Sequence, residues 1–523
     1  AIMAESIALK KKIRVIGDYD VDGITSSHIL MKGLQVLGGN VDTVIPHRMK
    51  DGYGLNDRLI EDAYEAGIQT IITCDNGIAA ASQIALAVEK KMTVVVTDHH
   101  EVPYVEENGV RTEILPPAAV VVDPKQADCK YPNPGICGAV VAYKLIELMF
   151  RKSKVSYEER QACMEEFMQL AAVATVCDVM DLLDENRIIV KEGLKRIRKA
   201  PCMGLKALIE ANGVEPSKLN AFHLGFVIGP CLNATGRLDS AVRALELLRA
   251  KDAISAARIA GELKEMNESR KAMTLQGVKQ AAEQIEKEHL SEDKVLVIFL
   301  PDCHESLAGI IAGRVKEQYG KPTFVLTRGE EGLKGSGRSI ESYHMYDAMV
   351  ACRELFTKFG GHKMAAGLSL EEKNLEELRR RLNTQCTLTE EDFQPKVHID
   401  VPMPLAYATR QLAEEFEILE PFGNANPKPL FATKNVVFQF GRKMGKQGTF
   451  AKYTVTQEGK TYELVFFGGL DKFHAYLDGK FGEGASGRLY EKECEFPLSV
   501  TYRIGLNSFR GKTELQLLME NYQ

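Results

Sequence analysis

GDYDVDG, at residues 17–23, directly follows Ile13-Arg14-Val15-Ile16, a short apolar run that predicts a buried strand. Three acids of this stretch stand at alternate positions, so Asp18, Asp20 and Asp22 would face one side of an extended chain. At about 3.3 Å per residue, the outer two would lie about 13 Å apart, too far for one metal ion. Either the segment curls at its last glycine, or two ions about 3.5–4 Å apart share the acids.

Two other kinds of structure use such a stretch. The pattern DxDxDG opens an EF-hand calcium loop, but that loop has a glutamate at its twelfth position, where this chain has Ile29, and it follows a helix rather than a strand. A solvated acidic turn would also contain aspartates and glycines. Taken alone, the stretch leaves the acidic turn open as an alternative to a metal site.

Three more apolar runs end in polar residues. They are TIITC before Asp75-Asn76-Gly77, TVVVT before Asp98-His99-His100, and AAVVV before Asp123-Pro124. Helical patterns, for example Ser27 to Leu37 and Ile78 to Lys90, lie between the runs. Strands that alternate with helices predict an α/β fold with a parallel sheet, in which ligands bind at the carboxyl ends of the strands. We therefore expect the acids and histidines at these four ends to converge on one site.

The chemistry of these side chains indicates a metal. Clustered carboxylates repel one another unless cations neutralise them. Oxygen ligands together with a histidine suit Mn²⁺ or Mg²⁺ better than a thiolate-rich zinc site, and the 11 cysteines contain no CxxC pair. The spacing therefore predicts a divalent-metal site.

The composition sets broad limits. With 523 residues, 45% hydrophobic and 26% charged, the chain is long enough for about three ordinary globular domains. The net charge of −6 provides no overall basic field for nucleic acid, although it permits a local patch. Scattered cysteines predict free thiols in a reducing cytosol, and no apolar run approaches the roughly 18 residues of a membrane span. We expect a cytoplasmic protein that makes no membrane contact.

Two basic features each have two interpretations. Arg48 precedes a glycine-rich turn at residues 52–55, where its planar fork of donors could hold a phosphate or simply face solvent. Residues 186–206 carry basic side chains among apolar ones, which predicts an amphipathic helix. That helix would be either a solvated face or one wall of a DNA channel. The residues alone leave both questions open.

The ordered motifs GDYDVDG, DNG, DHH and Ala174-Thr175-Val176-Cys177-Asp178 resemble those of the DHH phosphoesterase superfamily. The fuller resemblance, over nearly the whole chain, is to its single-strand-specific 5′→3′ exonucleases. The further matching segments are Arg48 with GYGL, Gly138-Ala139-Val140-Val141 with Lys144, IGPCLNATGRL at 228–238, GSGRSI at 335–340, GGHKMAAG at 360–367 and PFGNANPKPLF at 421–431. A DHH triplet alone would be a weak signal, whereas this set in this order is specific.

The resemblance implies a site with two Mn²⁺ or Mg²⁺ ions. The implied metal ligands are Asp18, Asp20, Asp22, Asp75, His99 and Asp178. The implied catalytic residues are His100, which would contact the scissile phosphate, together with Asp75 and Asp178. Asp98 is expected to orient His99 or its strand end, because carboxylates commonly fix the histidines that bind metals.

The resemblance also implies a path for the substrate. Its residues are Arg48, Asn233, Arg237, Ser336, Arg338, Gly360, Gly361 and His362. Arg48, Ser336 and Arg338 would bind the terminal 5′ phosphate, and capture of that end at a fixed distance from the metals would explain the 5′→3′ polarity. The two glycines would allow close backbone approach, and His362 would contact a phosphate or a base.

Two positions depart from the family pattern. Cys231 stands where the family usually has an arginine, which removes one expected DNA contact. Near His304 the family normally has a tryptophan before the histidine and a glycine two residues after it, whereas this chain reads Cys303-His304-Glu305-Ser306 and contains no tryptophan. The resemblance therefore assigns no role to His304.

The patterns and the resemblance together predict four parts. They are an α/β DHH domain with a parallel sheet at 1–190, a helical connector at 191–290, an α/β DHHA1 domain at 291–388 and an OB-fold-like β-barrel at 389–523. In the connector, Lys251 to His289 predicts a helix of about 57 Å that bridges two domains. In the barrel, Phe450 to Phe467 predicts a hairpin with a Glu458-Gly459 turn. Its interleaved aromatic and basic residues suit single-strand binding, with about half of the aromatics in the barrel core.

The leading hypothesis is a metal-dependent exonuclease that removes nucleotides from the 5′ end of single-stranded DNA, in DNA repair and recombination. One alternative is a phosphodiesterase of short oligonucleotides or cyclic dinucleotides. Another is an inert single-stranded-DNA-binding scaffold, although such proteins usually lose the motif acids that this chain retains. By resemblance alone, the protein partners are a single-stranded-DNA-binding protein and a helicase.

Overall fold

The chain folds into two compact units, Ala1–Pro395 and Lys396–Gln523, in a computed structural model. The structure describes residues 1–47, 54–394, 396–445, 448–491, 494–509 and 511–523. Arg48 and the start of the glycine-rich turn therefore lie outside the described residues. None of the helices in the described ranges combines the length and the hydropathy needed to span a membrane.

A five-stranded parallel sheet begins the first unit. Its five strands are β1 Lys12–Ile16, β2 Asn40–Val44, β3 Thr70–Cys74, β4 Thr93–Thr97 and β7 Val120–Val122. A separate hairpin, β5 Tyr104–Glu107 and β6 Val110–Glu113, lies between β4 and β7 in the chain. The order in the sheet is β2-β1-β3-β4-β7, and every pairing in it is parallel. All four predicted strands are present, and the predicted parallel α/β fold is confirmed. The edge strand β2 was not predicted.

Helices accompany this sheet. Those in the described residues are α1 Ile2–Ala8, α2 Val21–Val36, α3 Asp57–Glu65, α4 Ala81–Glu89, α5 Gly138–Arg151 and α6 Tyr157–Cys177. The acidic stretch curls earlier than the predicted bend at Gly23, because α2 already begins at Val21. Asp20 caps this helix by accepting a hydrogen bond from the Gly23 amide at 3.1 Å. The bend therefore brings Asp22 into the first helical turn rather than into an extended strand.

A helical segment follows. It contains α7 Asp184–Lys199, α8 Met203–Ala211, α9 Ala221–His223, a π-helical turn Leu224–Ile228, α10 Gly229–Leu238, α11 Val242–Leu248 and α12 Ala253–Lys287. The predicted long helix is confirmed as α12, with 35 residues, and Asp252 caps it through the Ser255 amide. The predicted helix over 186–206 is wrong at its end, since α7 stops at Lys199, just before Pro201.

A second sheet completes the first unit. Its strands are β8 Leu296–Phe299, β9 Thr323–Arg328, β10 Leu333–Arg338, β11 Phe356–Gly361 and β12 Ala365–Leu370, in the order β11-β12-β10-β9-β8. The accompanying helices are α13 Ala308–Tyr319, α14 Met345–Val350 and α15 Leu375–Thr384. The long helix packs closely on this domain, because a Cβ at Gly277 would lie 2.4 Å from Ile311 Cδ1.

The second unit is a closed five-stranded barrel. Its elements are β13 Val401–Pro402, α16 Arg410–Glu415, β14 Phe431–Met444, β15 Phe450–Gln457, β16 Lys460–Phe466, α17 Leu470–Phe481, α18 Ala485–Glu491, β17 Phe496–Phe509 and β18 Lys512–Tyr522. The ring closes because β14 pairs with both β15 and β17. The predicted hairpin is confirmed, and Glu458 and Gly459 both take the positive φ, 51° and 75°, that a two-residue turn requires. Of the interleaved aromatics, Tyr453 is buried in the core, whereas Phe440 and Phe450 are half-buried.

Candidate metal centre

Among the described residues, seven acidic or histidine side chains meet at the carboxyl edge of the first sheet. Their positions are Asp18 and Asp20 after β1, Asp22 in α2, Asp75 after β3, His99 and His100 after β4, and Asp178 after α6. They form three overlapping groups, each with its ligand atoms within 4.8 Å of one another, namely Asp75-His99-His100, Asp22-His99-Asp178 and Asp18-Asp20-Asp75. The structure thus brings all six predicted metal ligands together with His100. Asp123, the acid at the fourth strand end, belongs to none of the three groups.

His99 stands at the centre of the cluster. Its Nε2 lies 3.0 Å from Asp75 Oδ1, 3.4 Å from Asp22 Oδ2 and 3.6 Å from Asp178 Oδ2. Burial disfavours the imidazolium and lowers the pKa of His99, even though the charge of Asp22 opposes this. A neutral imidazole aimed among carboxylates is the form of histidine that binds a metal ion.

Asp22 is held by the N-terminus of α5. Its two carboxylate oxygens accept hydrogen bonds from the amides of Gly138, at 2.6 Å, and Ala139, at 2.7 Å. Only glycine fits at position 138, because a Cβ there would lie 2.9 Å from both Asp22 Oδ2 and Asp75 Cβ. By resemblance, this segment is a matching motif to which no role is assigned. In the structure, the segment holds the Asp22 carboxylate in place through its amides. In the sequence, only the position of the glycine indicates this contact.

Asp75 carries backbone strain at the end of β3. Its φ is 58°, in the left-handed region that few residues other than glycine adopt. The next residue, Asn76, donates from Nδ2 to the carbonyl of Ile16 at 3.4 Å, which ties the turn to the neighbouring strand. Strain of this kind persists where the surroundings impose it, and it commonly marks functional positions.

The electrostatics of the cluster fit a divalent cation. Burial and then the negative charges of Asp22 and Asp20 raise the pKa of Asp178 to about 8. Burial and neighbouring carboxylates also raise the pKa of Asp75 well above its usual value. The buried Asp178 Oδ2 accepts no hydrogen bond from the described residues. Acids that resist ionisation, with an oxygen that lacks a donor, are the groups that a bound cation would neutralise.

Asp98 orients the ring of His100 rather than the ring of His99. Its Oδ1 lies 2.7 Å from His100 Nδ1 and accepts from the His99 amide at 2.8 Å, while Oδ2 accepts from the Ile78 amide at 2.9 Å. The expectation that Asp98 fixes its strand end is therefore confirmed. The expectation that it orients the ring of His99 is wrong, because the ring it contacts is that of His100. Burial opposes the charged form of His100, but the hydrogen bond and charge of Asp98 outweigh it and raise its pKa to about 9. His100, with its side chain 42% exposed, is thus a protonated donor at the mouth of the cluster.

Two predicted substrate residues lie in the connector. Asn233 Oδ1 accepts a hydrogen bond from the Val21 amide at 3.1 Å, so it braces the start of α2 beside the cluster. Arg237 Nη1 donates to the carbonyl of Ser306 at 2.9 Å, which links α10 to the second sheet's domain. The structure therefore places both residues between the metal cluster and the DHHA1-like domain.

Apart from Arg48, which lies outside the described residues, the remaining predicted residues lie on the second sheet or in its β11–β12 turn. Ser336 and Arg338 stand on β10, and a Cβ at Gly309 of α13 would lie 2.7 Å from Arg338 Nη2 and 3.4 Å from Ser336 Cβ. The two side chains therefore share one surface against a glycine. Gly360 and Gly361 close β11, and His362 begins the tight turn to β12, with its amide donating to Ala365 O at 2.9 Å.

These features define the class of the protein. A parallel sheet that gathers aspartates and a DHH triplet at its strand ends, followed by a mixed sheet with a GGH strand, is the arrangement of a DHH–DHHA1 phosphoesterase. Family models agree: the DHH family N-terminal domain matches residues 12–175, the DHHA1 domain residues 292–387 and the RecJ OB domain residues 399–521.

Curated relatives narrow the class to one family. The chain is 33% identical over 528 residues to the single-stranded-DNA-specific exonuclease RecJ of Salmonella typhimurium, covering 98% of this chain and 87% of that protein. It is 36% identical over 467 residues to the RecJ of Bacillus subtilis, covering 88% of this chain and 57% of that protein. The chain thus spans less than two thirds of the Bacillus relative. It belongs to the RecJ family.

Solved structures agree with the family. RecJ of Thermus thermophilus in complex with Mn²⁺ superimposes with a TM-score of 0.79 at 26% identity, covering 100% of this chain and 70% of that one. The complex of RecJ from the same organism with Mg²⁺ gives a TM-score of 0.73 at 25% identity, with coverage of 100% and 69%. Both metals predicted from the sequence are therefore bound by RecJ proteins.

Proposed function

We propose that this chain is a 5′→3′ exonuclease that hydrolyses the phosphodiester bonds of single-stranded DNA with two divalent ions, Mn²⁺ or Mg²⁺. One observation carries the proposal: the acids of three elements converge around His99, where like charges need a cation. Family membership supports the substrate, since the relatives are named single-stranded-DNA-specific exonucleases.

We assign the metal ions to the six side chains of the cluster. These are Asp18, Asp20, Asp22, Asp75, His99 and Asp178. When bound, such ions lower the pKa of a bound water and offset charge that develops on the phosphate. Asp22 stays in place through the α5 amides, and Asp98 holds His100 with a proton available for an oxygen of the scissile phosphate. Asp75 and Asp178 thus act catalytically as metal ligands in this proposal.

The 5′ polarity would arise from capture of the strand end. Ser336 and Arg338 share one surface on β10, where a guanidinium fork suits a terminal phosphate, and Arg48 would add a second fork. His362 and the two glycines of β11 would contact the same end of the strand, while Asn233 and Arg237 brace the path between the domains. A clamp of this kind measures a fixed length from the end to the cluster.

The test uses one single strand labelled at its 5′ end and another labelled at its 3′ end. Each is incubated with the enzyme and Mn²⁺, and the fragments are followed over time. Immediate release of the 5′ label with gradual shortening of the 3′-labelled strand is expected. Release of the 3′ label first would overturn the polarity, and digestion that persists in EDTA would overturn the metal assignment.

The cell context extends the same proposal. All eleven cysteines, each within the described residues, are free thiols, which fits the reducing cytoplasm. An exonuclease restricted to single strands needs a strand exposed for it, so we propose a helicase and a single-stranded-DNA-binding protein as partners. Blunt duplex that becomes a substrate only when a helicase is added would support this dependence, and equal digestion without the helicase would contradict it.

A further inference from the structure

Two phenylalanines outside the metal cluster lie exposed side by side. Phe222 and Phe226 are 60% and 69% exposed, and their rings stack with centroids 5.0 Å apart and planes 24° apart. They stand at positions i and i+4, so they share one face of the helix. One exposed apolar side chain is ordinary, whereas this pair presents a continuous aromatic surface.

The local backbone explains the position of the pair. Phe226 lies in the π-helical turn Leu224–Ile228, which separates α9 from α10. Pro230 has no N–H to donate to the carbonyl of residue 226, so the regular helical hydrogen-bond ladder is interrupted here. Single π-helical turns inside helices are frequent at functional sites.

The π-helical turn packs against the element that delivers Asp178. Cys177 Sγ donates to the carbonyl of Leu224 at 3.5 Å, and a Cβ at Gly229 would lie 2.3 Å from Cys177 Sγ. The helix that continues from this turn carries Asn233, which braces α2 at the cluster. The aromatic pair therefore lies on a segment that contacts the helix before Asp178 and that continues into the helix carrying Asn233.

The end of α7, a helix with exposed basic side chains, contacts the segment that leads into the aromatic pair. Arg198 Nε donates to the carbonyl of Leu219 at 2.7 Å, which joins the end of α7 to the segment just before the pair. Lys191, Lys195 and Lys199 are exposed, and they form no ion pair with the described residues. Positive charge next to exposed aromatic rings is the combination that binds single strands, because the charges follow the phosphates and the rings stack on bases.

We propose that Phe222 and Phe226 form a stacking platform for bases of single-stranded DNA beside the metal centre, with the basic face of α7 along the phosphates. The inference rests on the proposed function and adds the side chains that hold the bases. The platform accepts any sequence, since every base has a π face. It favours single strands, because in a duplex each base is already stacked between its neighbours.

A fluorescence experiment tests the platform directly. The chain contains no tryptophan, so Phe226→Trp introduces a single reporter. Titration with an oligodeoxythymidine in EDTA, which prevents digestion, should quench this tryptophan as a base stacks on it. The matched control is Tyr157→Trp, 61% exposed at the start of the 21-residue α6 and about 30 Å from its far end. Absence of quenching at position 226, or equal quenching at position 157, would overturn the proposal.

A binding experiment distinguishes the loss of aromatic stacking from a loss of folding. The double variant Phe222→Leu with Phe226→Leu keeps apolar bulk but removes both rings, and it should bind the oligonucleotide about tenfold more weakly, as the loss of one stacked base predicts. Phe222→Tyr with Phe226→Tyr should retain the affinity. An abasic site at the contacted nucleotide should weaken binding of the wild type and leave the leucine variant unaffected.

The outcomes distinguish this inference from the proposed function. A wild type that digests end-labelled single strands in Mn²⁺, with unchanged affinity in the leucine variant, would overturn the platform alone. A wild type without that digestion would overturn the proposed function itself. Self-association of the wild type that the leucine variant loses, without a change in DNA affinity, would also overturn the platform and assign the pair to contact between copies of the chain.

Discussion

The carboxyl edge of the first sheet and the barrel of the second unit differ in the surroundings of their buried polar side chains. At the sheet edge, buried acids crowd together, their pKa values rise, and Asp75 takes a strained backbone conformation. In the barrel, two buried polar side chains find partners inside the fold: Tyr502 donates to Met403 O at 2.9 Å, and Gln457 donates to Thr433 Oγ1 at 2.6 Å. The sheet edge thus gathers like charges that a cation would neutralise, whereas these two barrel groups are satisfied by neighbouring protein atoms.

The largest expected effect is the loss of activity on substitution of an acid at the sheet edge. Asp75→Ala removes the acid shared by two of the three ligand groups. We expect the initial rate of digestion of a 5′-labelled strand in Mn²⁺ to fall on the order of ten thousandfold, as losses of one member of a catalytic group do elsewhere.

The control for Asp75 is Asp123→Asn. Asp123 is equally buried at a strand end, but it lies outside the three groups, so a far smaller loss is expected. An Asp75→Ala enzyme with near-normal activity, or an equal loss in both variants, would contradict the assignment of the cluster.

The next largest effect is a loss of stability of the barrel. Phe473, on α17, is fully buried and contacts the rings of Phe438, Tyr453 and Phe466. Phe473→Ala should lower the free energy of unfolding of this unit by about 3–5 kcal/mol, because it leaves a cavity. Urea unfolding monitored by hydrogen exchange in the barrel peptides measures this change.

Phe473→Ala should leave cleavage of a very short oligonucleotide in Mn²⁺ unchanged. Phe467→Ala, at a side chain 61% exposed in the same unit, is the matched control and should change stability little. Loss of short-substrate cleavage in Phe473→Ala would mean that the two regions depend on each other.

A smaller effect is expected when the wild-type protein binds Mn²⁺. At a Mn²⁺ concentration one hundred times its dissociation constant, binding should stabilise the folded site by about 2.7 kcal/mol. Hydrogen exchange should slow in the strand ends at residues 12–23, 70–75 and 93–100 and stay unchanged in β15 and β16. Equal protection of the barrel strands would contradict the view that only the sheet edge needs a cation.

Much of the sheet edge was predictable from the sequence. The apolar runs and the polar residues that follow them indicated the parallel strands, and strand ends in such sheets converge by topology. The partner of Asp98 was not predictable, because Asp98 lies one residue from His99 and two from His100, and only the backbone turn decides which ring it contacts. The support of Asp22 by α5 depends on a contact across 116 residues, which no local pattern encodes.

The aromatic pair and the ends of helices were harder to predict. The sequence patterns gave no prediction for Phe222 and Phe226, because two apolar side chains at positions i and i+4 suit a buried helix face as well as an exposed one. The helix start at Val21 lay within a stretch interpreted as extended, because alternate acids suit a strand as well as an Asp-capped helix turn. Patterns of period two and caps of helices compete for the same residues, and tertiary contacts such as that of Asn233 decide between them.

The smallest effect concerns Glu166, a carboxylate outside the cluster that is paired with a histidine and a lysine. Glu166 lies between His28 Nε2, at 2.7 Å, and Lys32 Nζ, at 2.6 Å, both on α2. Burial alone would raise its pKa, but these hydrogen bonds and charges outweigh burial and lower the pKa of Glu166. A carboxyl whose pKa is lower in the folded state stabilises the fold fully above its unfolded pKa of about 4.3. This stabilisation is lost as the pH falls through the folded value.

Glu166→Gln should therefore cost about 1 kcal/mol of unfolding free energy at pH 7, and the difference from the wild type should shrink as the pH falls below about 4.3. Urea unfolding at a series of pH values measures both. The control is Glu147→Gln, which removes a more exposed pair with Arg151 and should cost less. A difference that persists unchanged to low pH would show that shape, rather than the charge of Glu166, holds α2 here. In that case the contrast between the paired Glu166 and Asp178, the acid at the end of the same helix α6, would fail.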